Sequence, residues 1–147
     1  MNFKTGSITV KTKKLFEIID VTDKVLDLVK KSKIKNGLVN IQTLHTTAML
    51  ILNENEPLLL EDIKKNLSKI ASEKEVYDHD NFDIRTVNMC EDECENGHSH
   101  CKAIYLSPNV VLNLIENVTQ LGQWQRVLYI ELDRARERTI QVAVLGE

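Results

Sequence analysis

The run Leu38-Val39-Asn40-Ile41-Gln42-Thr43-Leu44-His45, followed after two threonines by Ala48-Met49-Leu50-Ile51-Leu52, decides the fold. In the first part Val39, Ile41, Thr43 and His45 recur at every second position. That is the period of a strand with one face in the core, because successive side chains point to opposite faces. The second part is apolar throughout and short, which suits a strand buried on both faces. Asn53-Glu54-Asn55-Glu56-Pro57 ends it and opens a helix, since proline is tolerated in a first turn. Leu60, Ile63, Leu67 and Ile70 supply that helix's apolar stripe.

Upstream, residues 6–10 and 15–19 read as two strands around a lysine-rich turn at 11–14, which predicts a first hairpin. Val21, Val25, Leu28 and Val29 then share a helical face, with Asp20 or Thr22 as N-cap. Lys30, Lys31 and Lys33 crowd its end, where the helix dipole favours cations, and Asn36-Gly37 stops it. Residues 72–95 are polar, acidic and aperiodic; a loop of that length is functional or disordered. Strand-like runs follow at 101–106, 110–114, 125–132 and 139–145. Two main helices among seven or eight strands, without βαβ alternation, predict an α+β fold. The sheets are expected to be largely antiparallel and sandwich- or barrel-like, in a single domain spanning 1–147.

The net charge of -3 gives no basic footprint for nucleic acid. No apolar run has the length of a membrane span, and Met1-Asn2-Phe3-Lys4 lacks the apolar core of a signal peptide. The expected location is therefore cytoplasmic, with neither nucleic acid nor membrane as partner. Cys90, Cys94 and Cys101 are then free thiols or metal ligands rather than a disulfide framework.

The chemistry concentrates in Asn96-Gly97-His98-Ser99-His100, which holds two of the four histidines. Read as extended, it projects both imidazoles from one face, where they can reach one metal ion or one anion. His45 is a candidate third ligand. Three neutral imidazoles would hold zinc or a related divalent ion and leave open positions for water or a phosphate oxygen. The rival metal set is Cys90, Cys94 and Cys101 with one histidine. Glu54 reads either as a general base or as part of a helix cap. Thr46 and Thr47 offer hydroxyls to a phosphate or to a sheet. Arg136 and Arg138 alternate onto one face and suit phosphate, unless Glu131, Asp133 and Glu137 engage them. Asp78 and Asp80 flank His79 as candidate tautomer-fixing carboxylates or as solvated loop charges. Trp124, the lone tryptophan, reads as core or subunit interface.

Taken together, His45-Thr46-Thr47-Ala48, Asn53-Glu54-Asn55, His79 and Asn96-Gly97-His98-Ser99-His100 with Lys102-Ala103 resemble the YjbQ-like family. Leu121-Gly122-Gln123-Trp124-Gln125, Glu131-Leu132-Asp133, Arg136 and Arg138 complete the match, which covers nearly the whole chain. The chain departs from the family pattern at Asp133-Arg134-Ala135-Arg136, where Asp-Gly-Pro-Arg is usual, at the cysteine-bearing segment, and at Gln123. The resemblance implies an α+β fold, a homotrimer and a histidine-lined, metal-capable site. It also implies thiamine-phosphate synthase activity, joining a pyrimidine pyrophosphate to a thiazole phosphate. In that scheme His45, His98 and His100 hold the metal, zinc or else magnesium with the pyrophosphate. Glu54, His79 and Arg136 are catalytic, and Thr46, Thr47 and Arg138 bind the small phosphorylated substrate. Two other classes stay open: a metal-dependent hydrolase of a phosphorylated metabolite, and a non-catalytic anion-binding module.

Overall fold

A computed structural model describes residues 1–147. The two runs that open the sequence reading form β3 (Gly37–Thr43) and β4 (Ala48–Asn53), and they belong to different sheets. The larger sheet also holds β1 (Asn2–Lys11), β5 (Asn109–Ile115), β6 (Val118–Thr119) and β8 (Glu137–Gly146), in the order β1-β8-β3-β5-β6. The smaller sheet is β2 (Ile18–Asp20), β7 (Arg126–Glu131) and β4, in the order β2-β7-β4. Every strand pair is antiparallel. The α+β prediction with antiparallel sheets holds.

One core lies between the sheets and helix α1 (Thr22–Ser32), built from Val39, Ile41, Leu50, Tyr129, Ile140 and Val142 with Val21, Val25 and Val29. A second, smaller core lies on the other side of β7. There Ile130 and Leu132 meet Met49, with Leu67 from α2 (Pro57–Ile70) and Ala103 from α3 (Gly97–Ala103). Residues 127–132 are therefore buried on both faces, which is why 127–130 reads as unbroken apolar sequence; Glu131 is the one charged residue of the run and is buried against Arg138.

The predicted first hairpin does not form. β1 pairs with β8 and β2 with β7, so the lysine-rich turn carries the chain from one sheet to the other. Helix α1 ends earlier than predicted, on Lys33 in the left-handed region (φ 60°), and Asp20 Oδ1 accepts from Thr22 N at 3.0 Å near its start. Pro57 opens α2 as expected, and Glu56 is the cap, accepting from Leu58 N and Leu59 N. The largest departure is at 97–103. The Gly-His-Ser-His stretch is a short helix rather than a strand, and residues 104–106 continue as turn. Its cause is tertiary. Asp80 Oδ1 accepts from the backbone N–H groups of Asn96 and Gly97 at 2.9 and 2.8 Å, satisfying free donors at the helix start. Ser99 Oγ donates to the carbonyl of Leu132.

Candidate functional site

The chain crosses between the sheets at two neighbouring corners, residues 44–47 after β3 and 132–136 after β7. Because β3 pairs with β8 and β4 with β7, the corners run side by side; Leu132 N donates to Thr47 O at 3.0 Å and Leu44 N to Thr139 O at 3.3 Å. Side chains from both corners project together. The irregular segment 72–95, with a 3-10 turn at Asp78–Asp80, and the start of α3 cover them. Between these elements lies a cavity of about 480 Å³. His45, Thr46, Thr47, His79, His100, Arg136 and Arg138 line it, as do Arg85, Asn88, Cys90, Glu93, Asn96 and Asp133.

Seven of the nine residues singled out from the sequence line this cavity: His45, Thr46, Thr47, His79, His100, Arg136 and Arg138. His98 and Glu54 lie outside it. On a helix, positions two apart point to nearly opposite sides. His100 therefore turns into the cavity against His79, ring centroids 4.7 Å apart in an edge-on arrangement. His98 turns away, and its Nδ1 lies 3.0 Å from Lys102 Nζ. Glu54 is exposed and its backbone N–H is held by Asn53 Oδ1.

The roles of the cations separate cleanly. Arg138 is 4% exposed and bound by Glu131 through two bonds, Nε to Oε2 at 2.7 Å and Nη2 to Oε1 at 2.5 Å. It also donates to Thr47 Oγ1 at 3.1 Å, so both Arg138 and Thr47 are engaged within the wall. Burial works against the Arg138 charge, but the Glu131 carboxylate outweighs it and raises the guanidinium pKa. Arg85 acts as a strut, donating to the carbonyls of His79 and Asn88 and pairing with Glu93 at 3.3 Å. Arg136 is the open one. Its Nε lies 3.3 Å from Asp133 Oδ2 yet makes no aligned hydrogen bond, and its Nη2 meets only Cys94 Sγ at 3.9 Å.

The environment of His45 and of His100 favours the neutral ring. Burial pushes the pKa of His45 down, with Arg138 adding to it; burial and then His79 do the same for His100. His45 Nε2 accepts from Thr139 N at 2.8 Å, which leaves its ring proton on Nδ1. Three buried side-chain atoms in the chain have no hydrogen-bond partner: His79 Nε2, Asn96 Oδ1 and Arg136 Nε. All three belong to residues lining this one cavity.

Zinc needs ligand atoms converging on a point about 2.0–2.1 Å from each imidazole nitrogen. The set His45, His98 and His100 does not converge, because His98 is on the far side of α3 and His45 Nε2 already holds Thr139. No group of three or more His, Cys, Asp or Glu side chains is gathered to hold a metal ion. The cysteines do not assemble either: Cys90 and Cys101 are exposed, and Cys94 leans on Asp133. Trp124 is 65% exposed and is not in the core of the chain.

Sequence reasoning passed over Arg85, Asn96 and Asp133 as site residues. Asn96 and Asp133 stood inside the motifs. Arg85 is the only arginine before Arg126 in a lysine-rich chain, and it falls in the irregular segment; that was its signal. Gly97 is required by close approach, since a Cβ there would sit 2.5 Å from Tyr77 Cβ.

The family model for UPF0047 protein YjbQ-like matches residues 6–147. The chain belongs to this family. Among its relatives are UPF0047 proteins of Archaeoglobus fulgidus, 38% identical over 94% of this chain and 98% of the relative, and of Methanothermobacter thermautotrophicus, 31% identical over 100% and 95%. The fold is similar to that of a crystal structure described as a YbjQ-like protein of unknown function from Sulfolobus solfataricus (TM-score 0.89, 34% identity, 99% of each chain). A hypothetical protein from Aeropyrum pernix is also similar (TM-score 0.87, 33% identity, 98% of this chain and 99% of that one). No helix of this YjbQ-like chain is long and apolar enough to cross a membrane.

Proposed function

We propose that the corner cavity is the active site of an enzyme acting on a small phosphorylated metabolite, with Arg136 taking the phosphate. The observation that carries this is the gathering, at one cavity, of every buried side-chain N or O atom that makes no hydrogen bond, among them the Nε of an arginine with an open fork. Buried polar groups are nearly always satisfied, so a cluster of orphans marks where a ligand completes the bonding. Guanidinium forks match phosphate oxygens, and Thr46 stands exposed on the rim to donate a hydroxyl.

The specific reaction to test is the one the family resemblance implies: a pyrimidine pyrophosphate joined to a thiazole phosphate with release of pyrophosphate. Arg136 would offset the negative charge that builds on the departing oxygens, as preorganised donors do. The neutral imidazole of His100 is in the state needed to take a proton near pH 7, while His45, whose Nε2 is held by Thr139, offers its Nδ1–H as a hydrogen-bond donor. A divalent cation belongs to this proposal as an ion that arrives with the pyrophosphate, since magnesium is bound largely through substrate phosphates and retained waters. The homotrimer and the cytoplasmic location are part of the same proposal, the former tested by light scattering on the purified chain.

The decisive experiment pairs turnover with binding. Wild type and Arg136→Gln are assayed on the two thiamine precursors with magnesium, beside a panel of phosphate esters, and both are titrated with inorganic pyrophosphate. Arg136→Gln should bind pyrophosphate about 10- to 100-fold more weakly, the worth of a charged hydrogen bond, while unfolding in urea as wild type does. Unchanged binding in the variant would remove the phosphate reading. Product from a panel ester but none from the precursors would replace the synthase with a hydrolase.

A further inference from the structure

Asn96 is 6% exposed and lines the cavity. Its amide orientation is set, because Nδ2 donates to Asp133 Oδ2 at 3.3 Å and an ionised carboxylate can only accept. The oxygen of the amide is therefore the atom left over, and no group in the chain donates to it. The residue is also held in place from behind, since its backbone N–H donates to Asp80 Oδ1 at 2.9 Å. A buried acceptor without a donor is unfavourable, and it is completed only by a group that carries a hydrogen. An ionised phosphate offers acceptors, so the group that satisfies Arg136 Nε does not satisfy Asn96 Oδ1.

We infer that the cavity selects phosphorylated ligands that also carry an N–H or O–H donor, with Asn96 Oδ1 accepting that donor. The inference rests on the phosphate-binding reading of Arg136. The two opposite requirements sit side by side: Arg136 Nε and Asn96 Nδ2 are each 3.3 Å from the same oxygen, Asp133 Oδ2. One small molecule spans both, its phosphate on the guanidinium and its donor on the amide oxygen. Asp133 is the positioning residue for this selection, since it turns the Asn96 oxygen outward and keeps Arg136 beside it. Asn96 thereby decides which phosphate esters are held, in a way that charge alone does not.

The test compares three probes that differ only at one end: ethyl phosphate, 2-hydroxyethyl phosphate and 2-aminoethyl phosphate. Each is titrated calorimetrically into the full chain in buffer with EDTA, so that no cation satisfies the amide oxygen. Wild type should bind the hydroxyl and amine probes about tenfold more tightly than ethyl phosphate, the advantage of pairing an otherwise unsatisfied buried group. The hydroxyl probe adds no charge, so its advantage reports the donor alone. In Asn96→Ala the three affinities should converge on that of ethyl phosphate, while Arg136→Gln should weaken all three alike. Equal binding of the three probes to wild type would overturn the donor requirement and leave the phosphate reading standing. Failure of all three to bind, or their unweakened binding to Arg136→Gln, would remove the phosphate reading and this inference with it. Should Asn96→Ala not fold, the comparison of probes on wild type still decides.

Discussion

The two sides of helix α3 carry matched ingredients and opposite states. On one side His98 Nδ1 meets Lys102 Nζ at 3.0 Å, and the same ammonium donates to Glu73 Oε1 at 2.6 Å and lies 5.1 Å from the centre of the Phe16 ring. Lys102 has no exposed surface at all. On the other side His100 packs on His79 beside Arg136, Asp133 and Asn96, and three buried polar atoms there make no hydrogen bond. Each side has an imidazole, a cation and a carboxylate. The difference is completion. A closed network stabilises and orders a core, whereas an open one has bonding capacity left for a ligand. Residue type alone does not tell a site from a strut.

The largest test of that contrast is Lys102→Ala. It takes the buried ammonium from the Glu73 carboxylate, which keeps only Ser68 Oγ, and from His98 Nδ1, and it opens a space beside the smaller core; it should cost about 2–3 kcal/mol in urea unfolding. Arg136→Gln, on the open side, should change stability by less than about 0.5 kcal/mol while losing its ligand. If the two variants swapped these phenotypes, the division of α3 into a structural side and a binding side would be wrong.

A smaller effect should appear with pH, and it involves both sides. Burial is the main cause that holds the pKa of His98, His45 and His100 below the ordinary 6.5. As pH falls through that value the unfolded chain takes up protons that the folded chain does not, so unfolding becomes more favourable. Stability should be full above about pH 7 and decline from about 6.5 downward, until the pH reaches the depressed folded values. A thermal-melt series that is flat from pH 7.5 to 5 would show that these rings are not held neutral. His98→Gln and His100→Gln should each flatten part of the decline, assigning it to one side or the other.

The smallest expected effect is at Glu54. It is exposed and does not line the cavity, and the cap of α2 is formed by Glu56. Glu54→Gln should leave pyrophosphate binding within about twofold of wild type, a change under about 0.5 kcal/mol. A large loss would mean that the binding side extends beyond the corner cavity to the start of α2.

Much of this was legible in local pattern. The alternation of Val39, Ile41 and Thr43 appears as the buried face of β3, and the apolar run at 48–52 as β4. Pro57 opened its helix where expected. The strands at 110–114 and 139–145 were visible in the same way, because a half-buried strand writes its period into composition. Arg136 and His79 could be named as candidates because arginine and histidine suit phosphate and proton transfer wherever they meet. The pairing of β1 with β8 rather than with the 15–19 run was not legible, since a lysine-rich turn does not say which strand it returns to. Nor was the shape of 96–103. Seven residues of mixed propensity take the conformation their surroundings satisfy, and here a carboxylate sixteen positions upstream caps them as a helix.

By itself the sequence determined the class of the fold, the faces of its long strands and the short list of chemically capable side chains. These depend on spacings of two and of three or four residues, which are properties of neighbours along the chain. Only the tertiary structure decided which of those side chains meet. The helical turn at 97–103 sends His100 and His98 to opposite sides, and the Glu131 pair withdraws Arg138 from service as an open fork. The Asp133 carboxylate fixes the amide of Asn96 with its oxygen unpaired. Each outcome turns on a partner beyond the reach of a strand or helix period or on the direction a backbone takes, and local pattern holds neither.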